Sequence, residues 1–419
     1  MERRARGASA STSVLSDHPE HAGARPRARA GRPTAGQDPH SRPATRVLRR
    51  RRRRTALSPH PRDGARRTDT QRRATRGGRH AARAAQRVAR VSATVARVLV
   101  TGIGSSIGTH AARALERYAE VEAIVGIDTS GPRAALARTE YVPSDPGFAV
   151  VQRIIKAERI DTVLHLQLAL DPKAIESRSL HEHNVIRTLN LLAAAGTPGS
   201  TVRKVVVRSS TQLYGSHHDD PYFFSEDTPR RHGPRTPVER SLLGVMQVVR
   251  EFGEDNPHVV VTTLRFADVL GIDATDAGFS RLLRRRLVPE IAGYDPRLQF
   301  VHDNDVSGAL VHATLHDVPG DFNVAGEGTL PWSEVCAIVG KRRVPIPPVL
   351  TRAASAPVRA LRLAELPSEA LALLRYGRAV DNRRYQTAGF RYRFTTAGAV
   401  DAFARGLRVR HAPRAVAAS

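Results

Sequence analysis

A chain of 419 residues, 41% of them hydrophobic, is long enough to bury a full core and to hold two lobes. The single cysteine, Cys336, excludes an intramolecular disulfide, and no apolar run reaches the roughly 18 residues of a membrane span, so a reducing cytoplasm is the expected setting. The net charge of +26 is uneven: residues 1–96 hold 25 arginines against 6 acids, which leaves 41 basic and 34 acidic groups for residues 97–419.

The front end contains Arg49 to Arg54 as an unbroken run and has no Phe, Tyr or Trp before Tyr118. With so little apolar surface to offset the entropy of ordering, residues 1–96 are expected to form a disordered Arg-rich tail. Three readings of it stand. It binds nucleic acid or an anionic surface weakly and without sequence preference, through counterion release; it is a targeting segment, although its prolines and six-arginine block spoil an amphipathic helix; or it is translated upstream sequence without function, the folded part starting near Val91 or Arg97.

Val98, Leu99 and Val100 then form a short apolar run that reads as a buried strand, stopped by Thr101 and Gly102. Ile107, Ala111 and Leu115 recur four apart, so one face of a following helix can lie back on that strand. A strand, a glycine turn and a helix N-terminus make a place for a phosphate, because the first helical N–H groups lack partners and the helix dipole favours an anion. Gly102 permits the turn and Gly108 permits close packing of helix on strand. A second strand, Ala123 to Asp128, ends in a carboxylate 20 residues beyond Gly108, where a dinucleotide fold holds a ribose diol.

Further along, candidate strands at 97–101, 121–127, 139–142, 162–166, 203–209 and 259–265 alternate with helix-period segments at 108–118, 147–157, 180–195 and 237–253. That alternation predicts an α/β fold, a doubly wound parallel sheet with ligands collecting outside the carboxyl ends of its strands. Val238, Leu242, Val245 and Val249 draw an apolar stripe along the last of these helices. His217 and His218 adjoin Asp219 and Asp220 but sit among loop residues and read as solvated, and the sequence displays no metal-ligand cluster.

From about 97 to 403 the chain resembles an extended short-chain dehydrogenase/reductase, the family that includes nucleotide-sugar epimerases and dehydratases. The resemblance rests on motifs in the family's order: the turn from Val100 to Gly108, Tyr141-Val-Pro-Ser-Asp145, the strand Thr162 to Ala169, the helix His183 to Leu192, and the strand and loop Ser209-Ser-Thr-Gln-Leu-Tyr-Gly215. Leu264 to Gly271, Phe300 to Val306, Phe322 to Gly326 and Asp381 to Phe390 are similar to the markers of its closing half.

The resemblance implies a Rossmann sheet over 97–270 that binds NAD, and over 271–410 mainly a smaller substrate lobe, with a returning strand near 321–325 and a loose tail at 411–419. It implies cofactor contacts from Thr101, Gly102, Gly104, Ser105, Ser106, Ile107 and Gly108, from Asp128 and Asp145, from Leu166 and Gln167, and from Asn184, whose place in the family is structural. The family's middle glycine falls on Ser105, whose hydroxyl can serve a phosphate instead. Asp128 argues for NAD over NADP because a carboxylate repels a 2′-phosphate, while Arg133 nearby keeps NADP in view. The substrate implied is a nucleotide sugar or another small hydroxyl compound, and relatives often pair as homodimers through helices that correspond to 180–195 and 237–253.

Family members move a substrate proton with a Tyr whose pKa is lowered by a Lys four residues later, while a Ser or Thr orients the oxygen. Ser210, with Thr211 beside it, matches the orienter. Aligned through Val248 to Glu251, the Tyr position falls on Val238 and the Lys position on Leu242, and none of the eight tyrosines has a Lys four places on. Tyr214, backed by an arginine such as Arg240, is the substitute weighed; its other reading is a packed or hydrogen-bonded loop aromatic.

In the closing half, Arg281, Arg284, Arg285 and Arg286 lie where the family places a diphosphate, or else form a solvated helix face. His302 and Asp305 read as structural hydrogen bonders, the prolyl stretch Lys341 to Leu350 as an extended link, and Arg352 to Leu374 as helical. The function expected is an NAD-binding protein of the epimerase/dehydratase type, either an oxidoreductase or epimerase on a nucleotide sugar, or a non-catalytic NAD sensor or partner-binding module.

Overall fold

The computed structural model describes residues 96–170, 177–274, 278–348 and 368–411. The arginine-rich front end, the closing residues 412–419 and the part of the Ala/Leu-rich segment before Ser368 lie outside the described residues.

The chain opens on β1 (Ala96–Thr101), α1 (Ser106–Leu115), β2 (Val121–Asp128), β3 (Thr139–Pro143), α2 (Phe148–Ala157) and β4 (Thr162–His165). A helix follows in three pieces: α3 (Ser177–His181), a π-helical turn at Glu182–Ile186, and α4 (Arg187–Ala195). Then come β5 (Lys204–Ser210), a 3-10 turn at Thr211–Tyr214, α5 (Pro237–Asp255) and β6 (Val260–Phe266). The six expected strands fall within a residue or so of their expected bounds, most of them being runs rich in β-branched residues.

A seventh strand, β11 (Gly320–Val324), returns from the closing half and pairs in parallel with β6, so the sheet order is β11-β6-β5-β4-β1-β2-β3 and every pairing is parallel. Both faces of such a sheet need cover. Along β1, Val98 and Val100 enter a cluster with Ala111 and Leu115 of α1, whereas Leu99 enters another with Val151 and Ile154 of α2 and Leu191 of α4. All three β1 side chains are fully buried, each contributing about 1.5–3 kcal/mol.

The long helix α5 starts where local chemistry dictates. Thr236 caps it by accepting from the Glu239 N–H at 3.1 Å, and Pro237 occupies the first helical position, where a missing N–H costs nothing. Its stripe of Val238, Leu242, Val245 and Val249 is buried, as its spacing predicts.

The closing half adds β7 (Asp268–Leu270), α6 (Gly278–Arg284), β8 (Leu287–Ile291), β9 (Arg297–Leu298), β10 (Phe300–His302), α7 (Asp303–Leu315), β12 (Leu330–Pro331), α8 (Trp332–Val339), β13 (Arg342–Ile346), α9 (Ser368–Tyr376), α10 (Arg383–Thr387) and α11 (Thr396–His411). Much of it packs around Phe279, Phe300, Trp332 and Phe403, with the Trp332 indole N–H donating to Pro289 O at 2.8 Å. Cys336 is buried in this cluster, and burial pushes its thiol up to about 12. The expected extended link is in fact β13, paired in parallel with β8. His302 caps α7 by accepting from the Asn304 N–H at 3.1 Å, and the Asp305 carboxylate accepts from the Arg393 and Phe394 N–H groups at 3.0 Å each, so both act as structural hydrogen bonders. Among the described residues no helix is long and apolar enough to cross a membrane.

Candidate functional site

The turn between β1 and α1 depends on two glycines. Gly102 has φ +76, and a Cβ there would lie 2.7 Å from the Gln167 nitrogen. A Cβ on Gly108 would lie 2.1 Å from Gly102 O, so α1 rests on the turn at a distance that only glycine allows. The Ser105 hydroxyl caps α1: it accepts from the Gly108 N–H at 3.0 Å and donates to Gly102 O at 2.8 Å. Its single proton is therefore spent within the turn, and an anion at this end of α1 would meet backbone amides from Ser106 and Ile107 rather than that hydroxyl.

Asp128 closes the turn from the end of β2. One carboxylate oxygen accepts from the Gly104 N–H at 3.1 Å and the other from the Ser130 N–H at 3.3 Å. Arg133 donates from Nε to Gly104 O at 3.0 Å, on the outer side of the same loop. Asp145 pairs with Arg187 of α4 at 3.0 Å and is half-exposed.

The ends of β1 and β4 are tied by a buried relay. The Thr188 hydroxyl donates to Asn184 O at 2.5 Å, so it accepts from His165 Nε2 at 2.9 Å, and His165 Nδ1 accepts from the Thr101 hydroxyl at 2.7 Å. Thr101 is thereby a strut, with its hydroxyl committed to the imidazole. Burial, aided by His183, lowers the His165 pKa to about 4. Below pH 6.5 the unfolded chain takes up this proton before the folded one does, so stability is fully present above pH 6.5 and falls as the pH drops towards 4. We expect a loss of about 2 kcal/mol between pH 7 and pH 5 from this group, read by urea unfolding, and a flatter profile in His165→Gln.

Leu166 and Gln167 follow β4, both buried, and Gln167 Oε1 has no hydrogen-bond partner among the described residues. The Asn184 amide pins the next loop: it accepts from the Ala169 N–H and donates to Ala169 O, both at 2.9 Å, and donates to Ser241 Oγ of α5 at 2.7 Å. Asn184 thus sits in the π turn as a clamp, with its side chain consumed by the protein.

At the end of β5, Ser210 accepts from the Gln212 N–H at 3.2 Å, Thr211 opens the 3-10 turn, and the buried Ser209 hydroxyl lacks a partner among the described residues. Tyr214 is locked. Its hydroxyl donates to Asn323 Oδ1 at 2.9 Å and accepts from Arg265 Nη1 at 2.9 Å, and its ring stacks on Phe224 at 4.7 Å. Burial raises the phenol's pKa despite Arg265, so Tyr214 is a structural aromatic and not an activated acid or base. The cation beside it is Arg265, whereas Arg240 is exposed. Val238 and Leu242 are both completely buried on α5.

Between the 3-10 turn and α5 runs the loop that carries His217 to Asp220. Arg230 donates to Glu239 at 2.6 Å, in a largely buried pair that fastens the loop to α5. His217 is buried and stacks on His232 at 4.1 Å, while His218 and Asp219 are exposed as expected, with His232 meeting Asp219 at 2.7 Å. Arg378 reaches Asp268, Gly215 O and Ser216 Oγ at 3.4 to 3.5 Å from the opposite side. Arg284, weighed as an anion contact or part of a solvated helix face, donates to Ile272 O at 2.5 Å and lies over Phe403.

Residues 98–325 match the NAD dependent epimerase/dehydratase family. The chain belongs to that family. An uncharacterized protein of Mycobacterium tuberculosis is 33% identical over 315 residues, covering 74% of this chain and 83% of the relative. Among solved structures, MoeE5 in complex with UDP-glucose and NAD aligns at TM-score 0.58 and 23% identity, covering 75% of this chain and 99% of that one. UDP-glucose 4-epimerase from Thermotoga maritima with UDP-glucose aligns at 0.59 and 18% identity over 75% and 99%. Membership of the epimerase/dehydratase family accounts for the parallel sheet with its glycine turn, and NAD is the family's cofactor. The turn fits it: Gly102 and Gly108 let β1, the turn and α1 pack closer than a Cβ allows, which brings the first turn of α1 to the strand ends, and Gln167 Oε1 lacks a partner among the described residues.

Proposed function

We propose that this chain binds NAD across the carboxyl edge of its sheet together with a nucleotide sugar or a similar small hydroxyl compound. Asp128 would hold the adenosine ribose, the backbone from Gly102 to Gly108 the diphosphate, and the ends of β4 and β5 the nicotinamide half. The observation that carries this reading is the Cβ-free cradle closed by Asp128 and set over the N-terminus of α1. Bound NAD supplies a hydride acceptor or donor. Ser210 spends a lone pair on Gln212, which leaves its proton for a ligand oxygen, with Thr211 beside it. Asp128 favours NAD over its 2′-phosphorylated analogue by charge repulsion.

Val238 and Leu242 stand where the family's tyrosine and lysine fall, and neither exchanges a proton. Their complete burial, with Tyr214 tied to Asn323 and Arg265, favours a second reading in which the protein senses or presents the bound cofactor without turning it over.

Calorimetry of the full chain tests the binding. NAD is expected to bind, and Asp128→Ala to weaken it by about tenfold, the loss of a charge-assisted hydrogen bond to the diol. A wild-type chain that gives no heat with NAD sinks the proposal. NADH fluorescence across a panel of nucleotide sugars separates the two readings: a changing trace supports turnover, and a flat trace with bound cofactor supports the sensor.

A further inference from the structure

The loop between the 3-10 turn and α5 folds His232 back onto Asp219 and Asp220, 13 positions from the first of them. His232 Nε2 lies 2.7 Å from Asp219 Oδ1, and one ligand atom from each of the three side chains falls within 4.8 Å of the others. An imidazole nitrogen with carboxylate oxygens is a donor set for zinc and its first-row divalent neighbours, and three protein ligands leave a position open for water.

In a chain with 66 Lys and Arg, two adjacent carboxylates would ordinarily find an arginine. Here the nearby arginines are engaged elsewhere: Arg230 with Glu239, Arg378 with Asp268, and Arg231 with the Asp219 main-chain carbonyl at 2.6 Å. Asp219 meets His218 and His232 instead, and Asp220 Oδ2 accepts from the His217 N–H at 2.6 Å.

A separate observation calls for a ligand. His217 is only 5% exposed, yet its Nδ1 has no hydrogen-bond partner among the described residues. With its ring stacked on His232 and its N–H on Asp220, the imidazole is fixed against the three side chains. A Cβ on Gly215 would lie 3.2 Å from His217 Nε2 and 3.4 Å from Cδ2, so that edge of the ring faces Gly215 and Nδ1, at the opposite corner, faces away from it. A buried ring nitrogen left unbonded is costly, and water on a metal ion supplies the missing bond.

We propose that Asp219, Asp220 and His232 bind one divalent transition-metal cation of the zinc class, with His217 Nδ1 bonded to its water. The two carboxylates cancel the charge of the cation, and the neutral imidazole adds a nitrogen donor. The cation ties residues 219, 220 and 232 together and so braces the loop that joins the 3-10 turn to α5.

Equilibrium dialysis of the metal-stripped full chain against Zn2+, with thermal melts, is the test. The wild type is expected to take up one equivalent more than Asp219→Asn with His232→Gln, and to melt about 3 °C higher with Zn2+ than without it. His217→Phe, which keeps the ring stack and loses the nitrogen, should weaken uptake by about tenfold. His218→Gln, which touches Asp219 from outside the set, should retain the equivalent. Equal uptake by the wild type and the double variant places the metal on other histidines and overturns the proposal. So does a wild-type melt that Zn2+ leaves unmoved, or a His218→Gln chain that loses the equivalent while His217→Phe keeps full affinity.

Discussion

Gly108→Ala is expected to cost about 3 kcal/mol or more and to take NAD binding beyond detection. The added methyl would sit 2.1 Å from Gly102 O and 2.8 Å from Ile103 Cα, backbone atoms that cannot turn aside as a flexible side chain would. Relief requires α1 to move off β1, which opens the cluster around Ala111 and Leu115 and withdraws the amides of the first helical turn from the site. Gly147→Ala is the matched control, because a Cβ there meets nothing within 4 Å. Thermal melts and NAD titration of both variants provide the check. Native affinity in Gly108→Ala would show that the cofactor is held elsewhere.

The double substitution Val238→Tyr with Leu242→Lys is expected to destabilise the protein by about 4 kcal/mol or more and to create no turnover. Both side chains are completely buried, so the phenol overpacks the cluster around Leu213 and Tyr214, while the ammonium loses its hydration in apolar surroundings. Residues four apart on a helix touch, so the two costs will not add simply. Urea unfolding of the single and double variants measures the loss, and NADH fluorescence with nucleotide sugars reads activity. A stable double variant that turns over would mean that α5 still borders an open substrate pocket and that only the proton relay is missing.

Much of the sheet was legible because β-strands here write themselves locally: Val205, Val206 and Val207 form a run that needs no distant partner to be recognised. The cradle was legible for the same reason, its glycines being spaced by the turn they make. What escaped notice is owed to residues that meet across the sheet. Tyr214 is immobilised by Arg265 and Asn323, 51 and 109 positions away, and nothing near it in the chain announces them. The Ser105 hydroxyl, expected to serve an anion, is consumed by its own helix. The π turn around Asn184 breaks the 3.6-residue period that located the helix, and the partners Asn184 finds there, Ala169 and Ser241, lie 15 and 57 positions away. In the closing half, Pro345 suggested a link, yet β13 is a short strand that among the described residues pairs with β8 alone, an edge that tolerates proline.

The placement of β11 bears on how the protein is made. Until Gly320–Val324 have been synthesised, β6 is the outer strand of the sheet and shows a row of unpaired backbone donors and acceptors. A nascent chain that has finished β6 must therefore wait through more than fifty further residues with a sticky margin uncovered, and a ribosome stalled in that interval would release an aggregation-prone fragment. The seven-stranded sheet thus closes as one piece, its last-arriving strand sealing what the first began.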